Sequence, residues 1–363
     1  MPPEAAPILG TLLHTVGAAC AALCYSPQRY LHRWSWQTYW LVQATGCWLV
    51  LPWIFAYLTI PELGTVLAEA PKGAMLNSYL FGVLYGVGGI SFGLAIRYIG
   101  FSLTYAIAIG VSCVVGTLVP PLFAGTLGAT LATTGGLYVI AGVILGTGAI
   151  LSTGLAGFRK ERELESDGTK SSFNFRVGLP VVLVAGVLSA VFSFALAAGQ
   201  PVADVAAKYG AGHFEGNVIY IFSNNGAFTT TLLYVIYLAN RERTWGEFRR
   251  TADGSGLLRN YLLGMTTGLL WYMQFFFYGL GHVRMGDFRF SSWAIHMIIL
   301  ILLSCGFGVF IGEWKAARKK TRFILAGGVA LLLGAVAMIT YGNQIASSQK
   351  APEEPLHYPA QEP

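Results

Sequence analysis

Ten stretches of the chain run almost without charged side chains: residues 7–25, 37–60, 74–96, 101–124, 131–157, 177–199, 217–239, 258–280, 290–311 and 323–345. Crossing bilayer hydrocarbon takes about 20 mostly apolar residues in a helix, and backbone polar groups in lipid must be satisfied within the segment. The pattern predicts an all-α integral membrane protein with ten transmembrane helices. Pro27, Pro61, Pro120, Pro121 and Pro201 fall where stretches end or bend. Pro52 and Pro180 fall inside stretches and predict kinks or first turns. The longest polar interruption, 158–176 with the run RKERELESDGTK, divides the stretches five and five. The expected organisation is a first five-helix half at 1–157, a cytoplasmic linker at 158–176, a second half at 177–345, and a Pro- and Glu-rich tail at 346–363 expected to be disordered. An odd number of spans per half inverts one half relative to the other. Inverted repeats recur in secondary transporters, with substrate bound near the midplane.

Composition narrows the class. The 363 residues are 55% hydrophobic and only 11% charged, against about a quarter charged in soluble domains. That excludes a soluble enzyme or nucleic-acid-binding domain as the default, and the net charge of +6 belongs to residues flanking apolar runs. The 45 glycines suit close helix packing in lipid. Of the 23 Lys and Arg residues, 18 lie in connections after odd-numbered stretches, and 5 lie in the termini and the other connections. The positive-inside rule places the richer set in the cytoplasm and both termini outside. Glu4 precedes the first stretch and no Lys or Arg does. A secretory signal has the opposite order, so the first stretch is expected to be a retained helix.

The ionisable residues limit the chemistry. All 17 carboxylates lie in loops, tails or span ends. That argues against a carrier built on a buried Asp or Glu and against a membrane metalloenzyme. The five cysteines, Cys20, Cys24, Cys47, Cys113 and Cys305, lie within spans and suit packing rather than a metal site. No cofactor is expected, with a proton as the coupling ion. His14 and His296 do lie inside spans, each roughly 10 Å from the outer end at 1.5 Å per residue. Gln274, Asn224 and Asn225 fall within about a turn of the same level. Trp271, Gln274, Tyr278 and His282 share one helix face, and so do Arg289, Trp293 and His296, and Asn217, Tyr220, Asn224 and Thr231. Such stripes suit a sugar, whose C–H face stacks on a ring and whose hydroxyls need donors and acceptors. The expected site is therefore Trp271, Gln274, Tyr278, Trp293, His296, Asn224, Asn225 and His14, with His296 and His14 also coupling the proton, in an acid-free pocket opening toward the exterior. Two alternatives stand beside it: His14 simply bonding a neighbouring helix, and the two asparagines serving as interhelical glue. Trp34, Trp36, Trp40, Trp245 and Trp314 are expected in the interfacial belt, and the basic insert RERTWGEFRR at 241–250 on the inner membrane surface.

Several segments resemble one family. WSWQTYW at 34–40, YGVGGISFGLAIRYIGFSLTYAIAIG at 85–110, HTVGAACAALCYSP at 14–27 and GLLWYMQFFFYGLGHVRMGDFRFSSWAIHM at 268–297 are similar to the L-rhamnose–proton symporter (RhaT) family of the drug/metabolite transporter superfamily. The likeness runs from about residue 8 to residue 345. It implies ten helices in two inverted halves, a sugar substrate with no enzymatic step and no nucleic-acid partner, and uptake of a 6-deoxyhexose with a proton across a bacterial inner membrane. The residues alone reach a small-molecule carrier, with a related exporter or facilitator for another metabolite as the alternative. Many family members read Gly-Asn-Ile where this chain has Gly88, Gly89 and Ile90.

Overall fold

The computed structural model describes residues 5–166, 174–250 and 256–349, and within these the regular structure is entirely helical. Ten long helices run α1 Pro7–Leu23, α2 Trp36–Thr59, α3 Lys72–Ile99, α4 Phe101–Phe123, α5 Thr134–Ser166, α6 Phe175–Lys208, α7 Asn217–Glu242, α8 Leu257–His282, α9 Ser291–Phe310 and α10 Lys319–Gln349. Eight of them are long and apolar enough to cross a membrane. The other two, α7 and α8, have the length at 26 residues each but interrupt their apolar runs with Asn217, Asn224 and Asn225 or with Asn260 and Gln274. Large apolar side chains such as Leu12, Tyr57, Phe123, Leu151, Leu233, Phe310 and Phe323 cover the outside. An apolar exterior of this extent fits lipid rather than water.

Each expected stretch falls on one of these long helices, several of which run further than expected. Pro201 and Pro180 both lie inside α6, which continues to Lys208. Much of the polar run expected as a linker is helical, because α5 continues to Ser166 and α6 begins at Phe175; residues 167–173 lie outside the described residues. The extension of α5 is held by buried charge. Lys160 pairs with Glu313 and, at 3.5 Å, with Glu161, and its ammonium lies 4.7 Å over the Trp314 ring. Glu163 accepts bonds from Arg318 N and Thr321 Oγ1, which ties the end of α5 to the start of α10. In the expected tail, residues 346–349 belong to α10 and the remainder lies outside the described residues.

Pro52 shapes α2. Proline cannot donate to the carbonyl four residues back and crowds it. The helix absorbs the defect in a π-turn at Thr45–Val50, where Leu51 N–H reaches back to Gly46 O, an arrangement that often marks functional sites. The turn carries Trp48 into the core, 1% exposed.

Each long helix has defined neighbours. α1 packs on α8 and α9; α3 packs on α6 and α7; α4 packs on α5, α6 and α9; α2 packs on α7 and α8; α5 lies along α10. Glycines set the closest approaches, as where Gly82 of α3 faces Ser223 of α7 and Gly135 of α5 faces Gly342 of α10.

Candidate functional site

One central cavity lies where α1, α3 and α4 meet α6, α8 and α9. It encloses about 90 Å³, several times the room that one water needs. Trp271, Gln274 and Tyr278 of α8 and Trp293 and His296 of α9 line it together with Tyr25, Tyr85, Tyr105 and Phe192. No carboxylate stands among its lining residues.

The Trp271 indole is fixed by other rings. Its centroid is 5.2 Å from Tyr25, 5.3 Å from Trp48 and 5.6 Å from Trp40, at interplanar angles of 70–84°. Edge-to-face contacts of this kind are favoured by the ring quadrupoles. Trp36 stacks on Trp40 at 4.9 Å behind them. Trp40 is thus a buried member of this cluster, 2% exposed, and not part of an interfacial belt. Trp314, over Lys160, is buried as well, whereas Trp245 is exposed. The insert that carries Trp245 is pinned to the start of α2: Glu247 accepts bonds from Ser35 N, Ser35 Oγ and Thr38 Oγ1.

His14 and His296 meet, as their shared depth suggested. On α1, Gly10, His14 and Gly17 lie one turn apart on a single face, and that face packs on α8 and α9. A Cβ on Gly17 would stand 3.0 Å from Gln274 O and 3.2 Å from His296 Cε1, and one on Gly10 would stand 3.0 Å from Gly281 O. The small residues let α1 approach until the His14 ring contacts Tyr278 at 5.1 Å and His296 at 5.8 Å, with Tyr278 to His296 at 5.4 Å. Both nitrogens of His14 and Nδ1 of His296 are buried without a hydrogen-bond partner. His296 lines the cavity, and His14 stands behind it.

Asn224 and Asn225 do not line the cavity. Asn225 donates to Ile221 O within α7, and Asn224 accepts from Ser223 Oγ. Several lining residues were not singled out from the sequence, among them Tyr25, Tyr85, Ser112 and Phe192. Tyr25 and Tyr85 fall inside the segments that carry the family resemblance, but an aromatic residue in an apolar run gives no sign of which face it occupies.

Tyr25 also lines a second space of about 280 Å³, bounded by Ser26, Gln28, Ser304 and Glu313 at the ends of α1 and α9. That vestibule faces the basic connections, and it contains a carboxylate. On the other side, Trp293 donates to Ser112 O and lies against Gly116, and the glycine face of α1 packs on α8 and α9.

A model of the family described as L-rhamnose-proton symport protein (RhaT) matches residues 4–346. The chain belongs to the L-rhamnose–proton symporter family. Among its relatives, the L-rhamnose-proton symporter of Cronobacter sakazakii is 33% identical over 92% of this chain and 97% of its own length. Those of Mannheimia succiniciproducens and Yersinia pestis are each 32% identical over 92% of this chain and 98% of their own. The family is one of transporters, not enzymes. Gly89 lies on the cavity wall, where a Cβ would come no closer than 3.8 Å to the Trp48 ring.

Proposed function

We propose that this protein imports L-rhamnose, or a closely similar 6-deoxyhexose, together with a proton by alternating access across a bacterial inner membrane. All ten long helices cross the bilayer in this reading, with both termini outside and the basic connections inside. The single observation that carries it is the aromatic, acid-free cavity between α1, α3, α4 and α6, α8, α9, which presents Gln274 and His296 beside Trp271. Family membership supplies the substrate class, since the relatives are L-rhamnose-proton symporters.

Two inverted five-helix halves account for the packing. Raising each helix number by five turns one observed pair into another. The α3–α6 pair corresponds to α8–α1, α4–α6 to α9–α1, and α2–α8 to α7–α3, while α2–α7, α4–α9 and α5–α10 map onto themselves. The helices that line the cavity are the first, third and fourth of each half.

In the mechanism, the sugar's C–H face lies on Trp271, and Gln274, Tyr278 and His296 exchange hydrogen bonds with its hydroxyls. His296, backed by His14, takes the proton. An imidazole suits this role because its ordinary pKa near 6.5 lets it exchange at physiological pH. Proton binding and sugar binding then strengthen each other reciprocally. A membrane potential supplies about 2.3 kcal/mol per charge per 100 mV and one pH unit about 1.4 kcal/mol. Together these support roughly 500-fold accumulation at one proton per sugar. In this reading the present conformation is occluded on the inward side, with the Tyr25 ring as a wall between the cavity and the vestibule on the cytoplasmic side.

The test is uptake of labelled L-rhamnose into proteoliposomes with and without an imposed inward-directed proton gradient. Accumulation above the outside concentration only with the gradient supports symport. Gradient-independent equilibration would indicate a facilitator, and no uptake would defeat the carrier reading.

A further inference from the structure

Trp293 stands where the cavity ends on the side away from the basic connections. Its indole N–H donates to Ser112 O on α4 at 2.9 Å. One turn further along α4, the ring lies against Gly116 so closely that a Cβ there would stand 2.5 Å from Nε1 and 2.6 Å from Cδ1. Only a residue without a side chain lets the indole seat flush on that helix. From other directions the ring meets Tyr278, with centroids 5.8 Å apart, and Phe192 at 6.1 Å. Across the cavity, Tyr25 and Tyr105 stand between it and the neighbouring spaces toward the basic connections. The two ends of the cavity are therefore closed differently: one by an indole keyed into a helix, the other by two ring walls backed by open volume.

We propose that Trp293 is the outer gate of this carrier and that Gly116, with the Ser112 carbonyl, is the latch that holds it shut. Seated on Gly116, the indole separates the sugar cavity from the exterior. Entry of sugar from outside requires the indole to leave this seat while α4 and α9 part. The latch spans the two proposed halves, since Gly116 and Ser112 lie on α4 and Trp293 on α9. Across the two halves the indole is held by one hydrogen bond and one ring face, which a change in state population can release. Gly116 is a positioning residue: it touches Trp293 and does not line the cavity. This inference rests on the carrier reading and its sidedness.

Cys24 lines the cavity and is 3% exposed, which makes it a native reporter. The experiment reacts a membrane-impermeant maleimide with right-side-out and with inside-out vesicles, and follows alkylation at Cys24 by peptide mass spectrometry. In the unsubstituted protein, Cys24 should react faster from the inside. Gly116→Ala and Gly116→Val displace the indole and should raise the outside rate about tenfold or more while lowering the inside rate, the signature of a shifted two-state equilibrium. Trp293→Phe keeps a ring of similar placement but loses the N–H, and should shift both rates in the same directions by less. Unchanged rates in the Gly116 variants, or rates that rise from both sides together, would overturn the latch. Protection of Cys24 by L-rhamnose in the unsubstituted protein is read in the same samples. Its absence counts against the sugar assignment alone, because the two-sided rates do not depend on which solute is carried.

Discussion

His14 and His296 come from helices at opposite ends of the chain, and their rings meet edge to face at 5.8 Å in the interior. Three of their four ring nitrogens are buried without a hydrogen-bond partner. Tyr278 touches both rings. A buried polar group without a partner is costly unless function requires it. Here the unpartnered nitrogens belong to two imidazoles, one of them on the wall of a cavity that no carboxylate lines.

Replacing either histidine with glutamine keeps hydrogen-bonding capacity and removes titration. His296→Gln is expected to abolish accumulation driven by a pH gradient, about tenfold per pH unit in the coupled protein, while labelled-sugar exchange across equal pH continues. His14→Gln should weaken coupling in the same assay without loss of exchange. Both variants retaining gradient-driven accumulation would remove the two histidines from the coupling role.

Gln274 lines the cavity, and its side chain has no hydrogen-bond partner among the described residues. Gln274→Ala should weaken L-rhamnose binding by one net hydrogen bond, about 0.5–1.5 kcal/mol or roughly 2- to 12-fold in Kd. The thermal midpoint should change little. Equilibrium binding of labelled sugar to the purified protein measures this, and an unchanged Kd would place the sugar elsewhere in the cavity.

How much of this was legible in the sequence depended on the kind of signal. Apolar length located the spans because lipid permits little else over such a run. Depth placed His14 and His296 at one level because helical rise is regular. Lateral position was harder. Asn224 shares a level with His296, yet α7 turns it into packing against its own neighbours, and depth alone gives no facing. Helix ends were misjudged where charge is buried. Lys160 looks like a loop residue until Glu161, Glu313 and Trp314 fold around it. The seat of Trp293 on Gly116 could not be read at all, since a glycine in an apolar run gives no sign of which ring it meets.

Helix packing should be unforgiving at Gly82. A Cβ there would lie 2.0 Å from Ser223 O on α7, and the reciprocal Gly226 meets Tyr79 O at 2.2 Å. Gly82→Ala must push α3 and α7 apart, and overpacking of this kind costs about 1–3 kcal/mol or more. Gly64, in the short helix Leu63–Glu69, has nothing within 4 Å of such a Cβ. Gly64→Ala should be neutral or stabilise by up to about 1 kcal/mol through helix propensity. Melting of the two variants in detergent separates the effects, and equal midpoints would contradict the close contact.

The connection between α6 and α7 carries a carboxylate whose ionisation is costly. The Glu215 side chain is 8% exposed, and Arg289 Nη1 lies 3.6 Å away. Burial pushes the carboxyl above its ordinary value of 4.5; Arg289 pulls it back, Asp204 raises it, and the net direction is upward. In the folded protein Glu215 therefore holds its proton over a window in which the unfolded chain has released it, and stability falls as pH rises through that window. Below the ordinary carboxylate value both states are protonated and the group contributes nothing; above the raised folded value the penalty is complete. Glu215→Gln carries no such titration. Its melting temperature relative to the unsubstituted protein should therefore climb with pH from the ordinary carboxylate value to the raised one and then level off. Arg289→Gln removes the opposing charge, so it should carry the upper end of the window to higher pH. Melting curves for the three proteins across this range decide the matter. A flat difference between Glu215→Gln and the unsubstituted protein would mean that ionised Glu215 is as well accommodated folded as unfolded, with Arg289 fully offsetting burial.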